Sequence, residues 1–323
     1  MSRGYELRTI TGDTTGVAAI ALSSDHRWLA SVDREATLRV WNLDSGRLVH
    51  RLLDPWLSDA WEDLELHRPP PDDPDLLWEE LLNELHRDSP EGTDLPPLRT
   101  SRHAFLRLYR RTPIAFTPDA SLIASASVGQ VVNFWDVSTG RRVSSAEDVP
   151  LPPTTMSFSP DGLPLVTGNW LGTVEMWDVP NGRRLKRWNG HERPITCLAF
   201  SHDGQLCATG SVDTTIKIWD VATGQERLTL GNLDRSLTYQ MDGPGHWERV
   251  LALAFSIEGK LLVSLGADHR VRVWNIRTGK LHRFQQVPVG GTPSLTLFSP
   301  DGRWLADGSG DEILLIGQRV WLR

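Results

Sequence analysis

The sequence predicts an all-β protein: repeated four-stranded antiparallel sheets, stacked radially into a ring. Three observations carry this. Tryptophan is over-used, with 14 Trp against 8 Phe and 3 Tyr in 323 residues. Most of the Trp residues that precede Asp or Asn fall on a period near 42 residues. Turn phrases recur before and after each of these pairs.

The pairs are Trp41-Asn42, Trp135-Asp136, Trp177-Asp178, Trp219-Asp220 and Trp274-Asn275, spaced by 94, 42, 42 and 55 residues. Behind them stand Ser45-Gly46, Thr139-Gly140, Asn181-Gly182, Thr223-Gly224 and Thr278-Gly279. Ahead of them stand Leu22-Ser23-Ser24-Asp25, Phe116-Thr117-Pro118-Asp119, Phe158-Ser159-Pro160-Asp161-Gly162, Phe200-Ser201-His202-Asp203-Gly204 and Phe255-Ser256-Ile257-Glu258-Gly259. A last copy, Phe298-Ser299-Pro300-Asp301-Gly302, has no Trp-Asp after it. Pro-Asp-Gly and Thr-Gly are hairpin turn chemistry. The runs between them, such as Leu122-Ile123-Ala124 and Thr215 to Trp219, are β-prone. One small sheet cannot bury both faces, so copies must stack, and radial stacking leaves only short edges.

Six copies are counted, ending near residues 53, 145, 187, 231, 284 and 323. The 94-residue gap leaves room for a seventh, but residues 53–102 contain no Pro-Asp-Gly hairpin, no Trp-Asp and no strand-like alternation. Tyr5 to Ile10 reads as an outermost strand that closes the last sheet, with Arg319 to Leu322 as the rival.

Composition agrees. Apolar residues are 39% and charged residues 23%, as in a soluble globular chain. Two cysteines make no disulfide framework. No apolar run reaches the roughly 18–20 residues of a membrane span, and the first residues lack a signal-peptide core. A cytoplasmic protein with no membrane partner is expected. The chain reads as one domain over 1–323 with an insertion at 54–104.

Taken together, these phrases resemble the WD-repeat β-propeller family, in the style of its bacterial members. The likeness covers nearly the whole chain outside 54–104. It implies a hydrogen-bonded tetrad of His, Ser/Thr, Asp and Trp within a blade. His191, Thr209 and Asp213 precede Trp219 by 28, 10 and 6 residues, and His246, Ser264 and Asp268 precede Trp274 by the same offsets. A buried indole N–H needs an acceptor, and His between Asp and a hydroxyl completes the chain. The other repeats keep less: Asp13, Ser31 and Glu35 in the first, Ser125 and Gly129 in the second, Thr167 and Leu171 in the third. Their rigidity is expected to come mainly from packing.

Residues 54–100 hold 14 Asp or Glu and 3 Arg, a net of −11 within an overall −7. Asp73-Pro74-Asp75 is a helix start, and Leu77, Trp78, Leu81, Leu82 and Leu85 then fall on one face. A second helix is expected from about Pro55 to Leu66, with Trp56 at its start and Trp61 on its apolar side. Strand alternation brings this insert to the same end of the sheets as Arg34, Trp170 and Val212 in turns, and Glu192, Arg193 and Trp247 after the repeat histidines. In the resembled family that end is the usual partner-binding surface. Trp56, Trp61, Trp78, Leu81, Leu82, Leu85, Arg34, Trp170, Glu192, Arg193 and Trp247 are therefore the candidate partner-binding residues. The insert either packs on the sheets or docks in a partner groove.

Catalytic chemistry is not apparent. The histidines are better used as tetrad members, and there is no phosphate loop. Cys197 and Cys207 flank one hairpin and could lie side by side, but two thiols are poor grounds for a metal site. Arg107 to Arg111 and Arg183 to Arg187 are basic clusters, yet a pI near 5.8 disfavours nucleic acid. The expected function is a non-enzymatic scaffold or regulatory subunit without cofactor or metal. Its partner is expected to be another protein; the resemblance implies an effector such as a protease, ATPase or kinase, and leaves the class open. The alternatives are a propeller hydrolase or metal enzyme with an axial site, and a nucleic-acid adaptor.

Overall fold

A computed structural model describes residues 17–33, 37–52, 113–127, 131–146, 149, 151–231, 245–286, 295–298, 304–309 and 312–317. Every described regular element is a strand. Sheet one holds β1 (Val17–Leu22), β2 (Trp28–Asp33), β3 (Leu38–Asn42) and β4 (Arg47–Leu52). Sheet two holds β5 (Ile114–Phe116), β6 (Leu122–Ser127), β7 (Val131–Asp136) and β8 (Arg142–Ala146). Sheet three holds β9 (Pro153–Phe158), β10 (Leu165–Asn169), β11 (Thr173–Asp178) and β12 (Arg183–Asn189). Sheet four holds β13 (Ile195–Phe200), β14 (Leu206–Ser211), β15 (Ile216–Asp220) and β16 (Glu226–Leu230). Sheet five holds β17 (Val250–Phe255), β18 (Leu261–Gly266), β19 (Arg270–Asn275) and β20 (Leu281–Gln286). A last sheet of three described strands holds β21 (Leu295–Phe298), β22 (Trp304–Ser309) and β23 (Glu312–Gly317).

Each sheet is an antiparallel meander, and the first strands pack in series from β1 through β5, β9, β13 and β17 to β21. The arrangement is consistent with a β-propeller. The fourth strands end within two residues of the repeat ends read from the sequence. The two expected helices, the segment 54–104 and both candidate closing strands lie outside the described residues.

The recurrent tryptophans fill the spaces between sheets. Trp135 sits in an apolar cluster with Ala30, Val40 and Leu52 of sheet one. Trp177 packs with Ala124, Val132 and Phe134 of sheet two, and Trp219 with Val166, Val174 and Met176 of sheet three. Trp274 packs with Ala208, Ile218 and Leu230 of sheet four. Each indole thus lies against the preceding sheet, and all five Trp of the pairs are buried.

The residue after each Trp builds the third turn. The Asp136 carboxylate accepts from Thr139 N and from the hydroxyls of Ser138 and Thr139, while Gly140 N donates to the Asp136 carbonyl. Asp220 does the same with Thr223 and Gly224, and Asn42 with Ser45 and Gly46. The closing glycines have φ near +70°, where a side chain is strained. These bonds hold Asp220 down to about 2, the amide of Thr223 being the first cause and Arg227 the second.

Just ahead of every one of these Trp residues the pairing of third and fourth strands shifts register. The bulge bends the outer strand and blunts an otherwise open edge. Inner contacts are closer still. A Cβ on Gly168 would fall 2.7 Å from Ile195 Cγ2, and one on Gly210 would fall 2.7 Å from Val250 Cγ1. Each glycine lets the next sheet's first strand approach. The inner strands are also tied by Thr154, which donates to the carbonyl of Ile195, and Thr196, which donates to that of Val250.

Candidate interaction surface

The rigid base of the candidate surface is a pair of buried polar chains. In sheet four, Trp219 Nε1 donates to Thr209 Oγ1 at 2.9 Å, and Thr209 Oγ1 lies 2.8 Å from His191 Nε2. His191 Nδ1 lies 2.9 Å from Asp213 Oδ2. An ionised carboxylate can only accept, so Nδ1 donates to Asp213 and Nε2 accepts from the Thr209 hydroxyl. Burial alone would raise the Asp213 carboxyl. The hydrogen bond from His191 and the electrostatic pull of that ring, with Thr215, overcome it and lower the group to about 2. Gly190 is required here, because a Cβ would meet the Trp219 ring at 2.4 Å.

Sheet five repeats the chain: Trp274 Nε1 to Ser264 Oγ at 2.8 Å, Ser264 Oγ to His246 Nε2 at 2.7 Å, and His246 Nδ1 to Asp268 Oδ1 at 3.0 Å. It adds a fully buried cation. Arg272 Nη1 stands 2.7 Å from Asp268 Oδ2 and 2.7 Å from His246 Nδ1. Burial first, and then the nearby arginines, hold His246 below its ordinary value, against the pull of Asp268. Asp268 itself is lowered: burial raises it, but His246 and Arg272 more than offset that.

The indole donation recurs without the histidine. Trp41, Trp135 and Trp177 donate to Ser31, Ser125 and Thr167 at 3.1, 2.9 and 3.0 Å. Beside the packing expected in these sheets, each holds a polar pair two residues before its Trp. Arg39 bonds Asp33 at 2.6 Å with both buried, Arg142 donates to buried Asn133, and Arg184 donates to buried Glu175 at 3.2 Å. In sheets one and three the second turn is capped from eight residues before Trp instead of six. Asp33 accepts from Thr37 N, and Asn169 from Leu171 N and Thr173 N.

The second turns and the connections between sheets share one end of the meanders. There the structure brings several candidate residues together. Gly190 N and His191 N both donate to the Gly172 carbonyl, so the turn carrying Trp170 rests on the loop carrying Glu192 and Arg193. That loop is tied onward: Glu192 N donates to Asp213 Oδ2, Ser211 Oγ to the Arg193 carbonyl, and Val212 N to the Pro194 carbonyl. Glu192 is exposed, Arg193 half-buried, and Trp247 is 41% exposed beside buried His246. One expectation is corrected: Trp170, read as exposed on this end, is half-buried. Val212, in the neighbouring turn, is buried, its backbone drawn under Pro194. Arg34, Trp56, Trp61, Trp78, Leu81, Leu82 and Leu85 lie outside the described residues.

Cys197 and Cys207 are not side by side. Cys197 pairs with Gly210 and Cys207 with Phe200, which places them in different apolar clusters. Burial pushes the Cys197 thiol up to about 12 and raises that of Cys207 further. Among the described residues no three His, Cys, Asp or Glu are grouped to hold a metal ion. In the basic run of β12, Arg184 and Arg187 turn to Glu175, and Lys186 donates to the carbonyls of Val221 and Ala222. Among the described residues no helix is long and apolar enough to cross a membrane.

Four stretches match the family model of the WD domain, G-beta repeat: residues 4–42, 147–178, 182–220 and 236–275. Each ends on one of the Trp-Asp or Trp-Asn pairs. The matches support a WD-repeat family, whose domains generally mediate protein–protein interaction. No curated protein matches the chain.

Proposed function

We propose that this chain is a non-enzymatic interaction module, a scaffold or regulatory subunit. In this reading six blades form a cytoplasmic ring that binds a separate effector protein. Binding runs through the end of the sheets that carries Trp170, Glu192, Arg193 and Trp247, with residues 54–104 as the selective element. The observation that carries the reading is Trp247. A large indole is left 41% exposed on a loop whose neighbour His246 is buried and hydrogen-bonded on both ring nitrogens. A fixed, exposed aromatic of this kind is what interface hot spots are made of. The chemistry around it agrees, since His191 and His246, the residues just before Glu192 and Trp247, are engaged in structural chains.

Affinity capture from the native host tests this. Trp247→Ala and Glu192→Lys are expected to lose the captured protein while melting as wild type does. Replacing residues 56–100 with a Gly/Ser bridge is expected to lose it as well. Undiminished capture by Trp247→Ala would refute the surface, and undiminished capture by the bridged chain would remove the insert from it.

A further inference from the structure

The opposite end of the sheets carries the first and third turns. There, each fourth strand meets the third turn of the next sheet, and the residue nine positions after Trp supplies a donor. His50 bonds the Ser138 carbonyl at 3.2 Å, Ser144 donates to the Val179 carbonyl at 2.9 Å, and Lys186 donates to the Val221 and Ala222 carbonyls. Between sheets four and five the same position is Leu228, which has no donor to offer the Ile276 carbonyl. At this junction a cleft of about 600 Å³ opens. Leu206, Ile218, Leu228 and Ile276 form its floor, and Lys260 and Arg277 stand at its edge. Arg227 also lines it but is engaged by Asp220, and Lys260 is paired with Glu258. Arg277 has no ion pair with a described residue.

We propose that this cleft is a second docking site, for a partner polypeptide segment in which apolar side chains stand next to carboxylates. The apolar side chains would cover the four-residue floor, a backbone N–H would meet the carbonyl that Leu228 leaves without a donor, and a carboxylate would meet Arg277. Each feature of the cleft selects a different part of that segment: the floor an alkyl group, the carbonyl an amide, and the unpaired guanidinium an anion. The junction between sheets three and four shows what closes such a cleft, since Lys186 reaches across to the next sheet's carbonyls. The site is independent of Trp247, which lies at the other end of the strands.

The test uses the full chain and a fluorescein-labelled, amidated peptide Gly-Ser-Leu-Leu-Glu-Glu, with Gln replacing Glu in its control, read by anisotropy. The wild-type chain is expected to bind the acidic peptide, more weakly as salt rises, and the Gln peptide less well. Leu228→Lys, which installs the Lys186 arrangement, is expected to weaken binding about tenfold or more without lowering the melting temperature. Leu228→Gln repeats the filling should the lysine variant fold poorly, and Arg277→Glu is expected to abolish the preference for the acidic peptide. The proposal is overturned if both Leu228 variants bind as wild type does, or if the Gln peptide binds equally well. Displacement by decanoate but not by unlabelled peptide would assign the cleft to a small amphiphile. A dimer that becomes monomeric with Leu228→Lys would assign it to a second copy. Either result also overturns the proposal.

Discussion

Asp268→Asn removes one negative charge from a site where Arg272 is 0% exposed and Asp268 4% exposed. The guanidinium then loses its 2.7 Å carboxylate contact, the only short one among the described residues, where its Nε already has no partner. Breaking a buried pair from one side leaves an uncompensated charge and costs about 3–5 kcal/mol. The Asn carbonyl can still accept from His246, so little of that cost belongs to the lost His–Asp bond. Asp268→Asn combined with Arg272→Met removes both charges and fills the guanidinium's space with an apolar chain. The double variant should therefore lose only about 1 kcal/mol, the size of one ordinary hydrogen bond. The coupling between the two sites should be at least about 2 kcal/mol. Urea unfolding followed by tryptophan fluorescence measures these two variants and Arg272→Met alone, with Trp274 of sheet five among the 14 reporting indoles. If the single variant loses less than about 1 kcal/mol, or the double variant loses as much as the single, the guanidinium has another way to be solvated and the reasoning fails.

Three further outcomes follow from the same geometry. Trp219→Ala should cost about 3–5 kcal/mol, whereas Trp219→Phe, which keeps most of the ring volume but drops the bond to Thr209, should cost about 1–2 kcal/mol in the same urea assay; equal costs would mean that volume does not govern this site. Gly168→Ala and Gly210→Ala should each lose about 1–3 kcal/mol in thermal melting, since the new methyl meets the next sheet; an unchanged melting temperature would show that neighbouring sheets can move apart freely. Asp213 is lowered from 3.8 to about 2, so its contribution is present above pH 3.8 and is lost as pH falls toward 2. That is about 2 kcal/mol at most, and Asp213→Asn should flatten the acid limb of a stability–pH curve. His246 is also lowered, so the unfolded chain takes up a proton first and stability should already fall below the ordinary histidine value of 6.5.

The sequence was most legible where one residue type has one job. Trp219 and Trp274 each carry a histidine, a hydroxyl and an acid at fixed offsets, and both sets fall on bonded partners. Asp33 and Asn169 were missed because a capping Asx eight residues before Trp resembles any turn residue. Arg39, Glu175 and Arg272 left a readable signal. A strand alternates faces, so a charge two residues before an inward Trp must itself point inward and needs a partner. Trp170 was misjudged for a different reason. Its exposure depends on how closely the 190–194 loop is drawn onto its turn, and no local pattern records that approach. The adjacency of Cys197 and Cys207 failed on register, since the pairs Cys197–Gly210 and Phe200–Cys207 set the thiols three positions apart.

These features place the information in the repeat at the junctions between sheets rather than inside them. The Trp fills the space to the preceding sheet, and the Asp or Asn after it shapes a turn against which that sheet's outer strand packs. The glycine ending that turn meets His50 at Gly140, the Ser145 backbone at Gly182, Trp188 at Gly224 and Leu228 at Gly279. Four junctions therefore use one backbone geometry, with three different side chains and one stretch of backbone against it. The turn glycine is held by its positive φ, which strains any side chain, and at Gly140 and Gly182 by a neighbour that a Cβ would meet at 2.6 and 2.0 Å. The facing residue can vary, because only its reach matters. A surface that differs from junction to junction on an invariant frame is a means of giving each cleft its own chemistry. At the junction between sheets four and five, where leucine replaces a donor, that freedom leaves an open, apolar-floored cleft beside Arg277, which has no ion pair among the described residues.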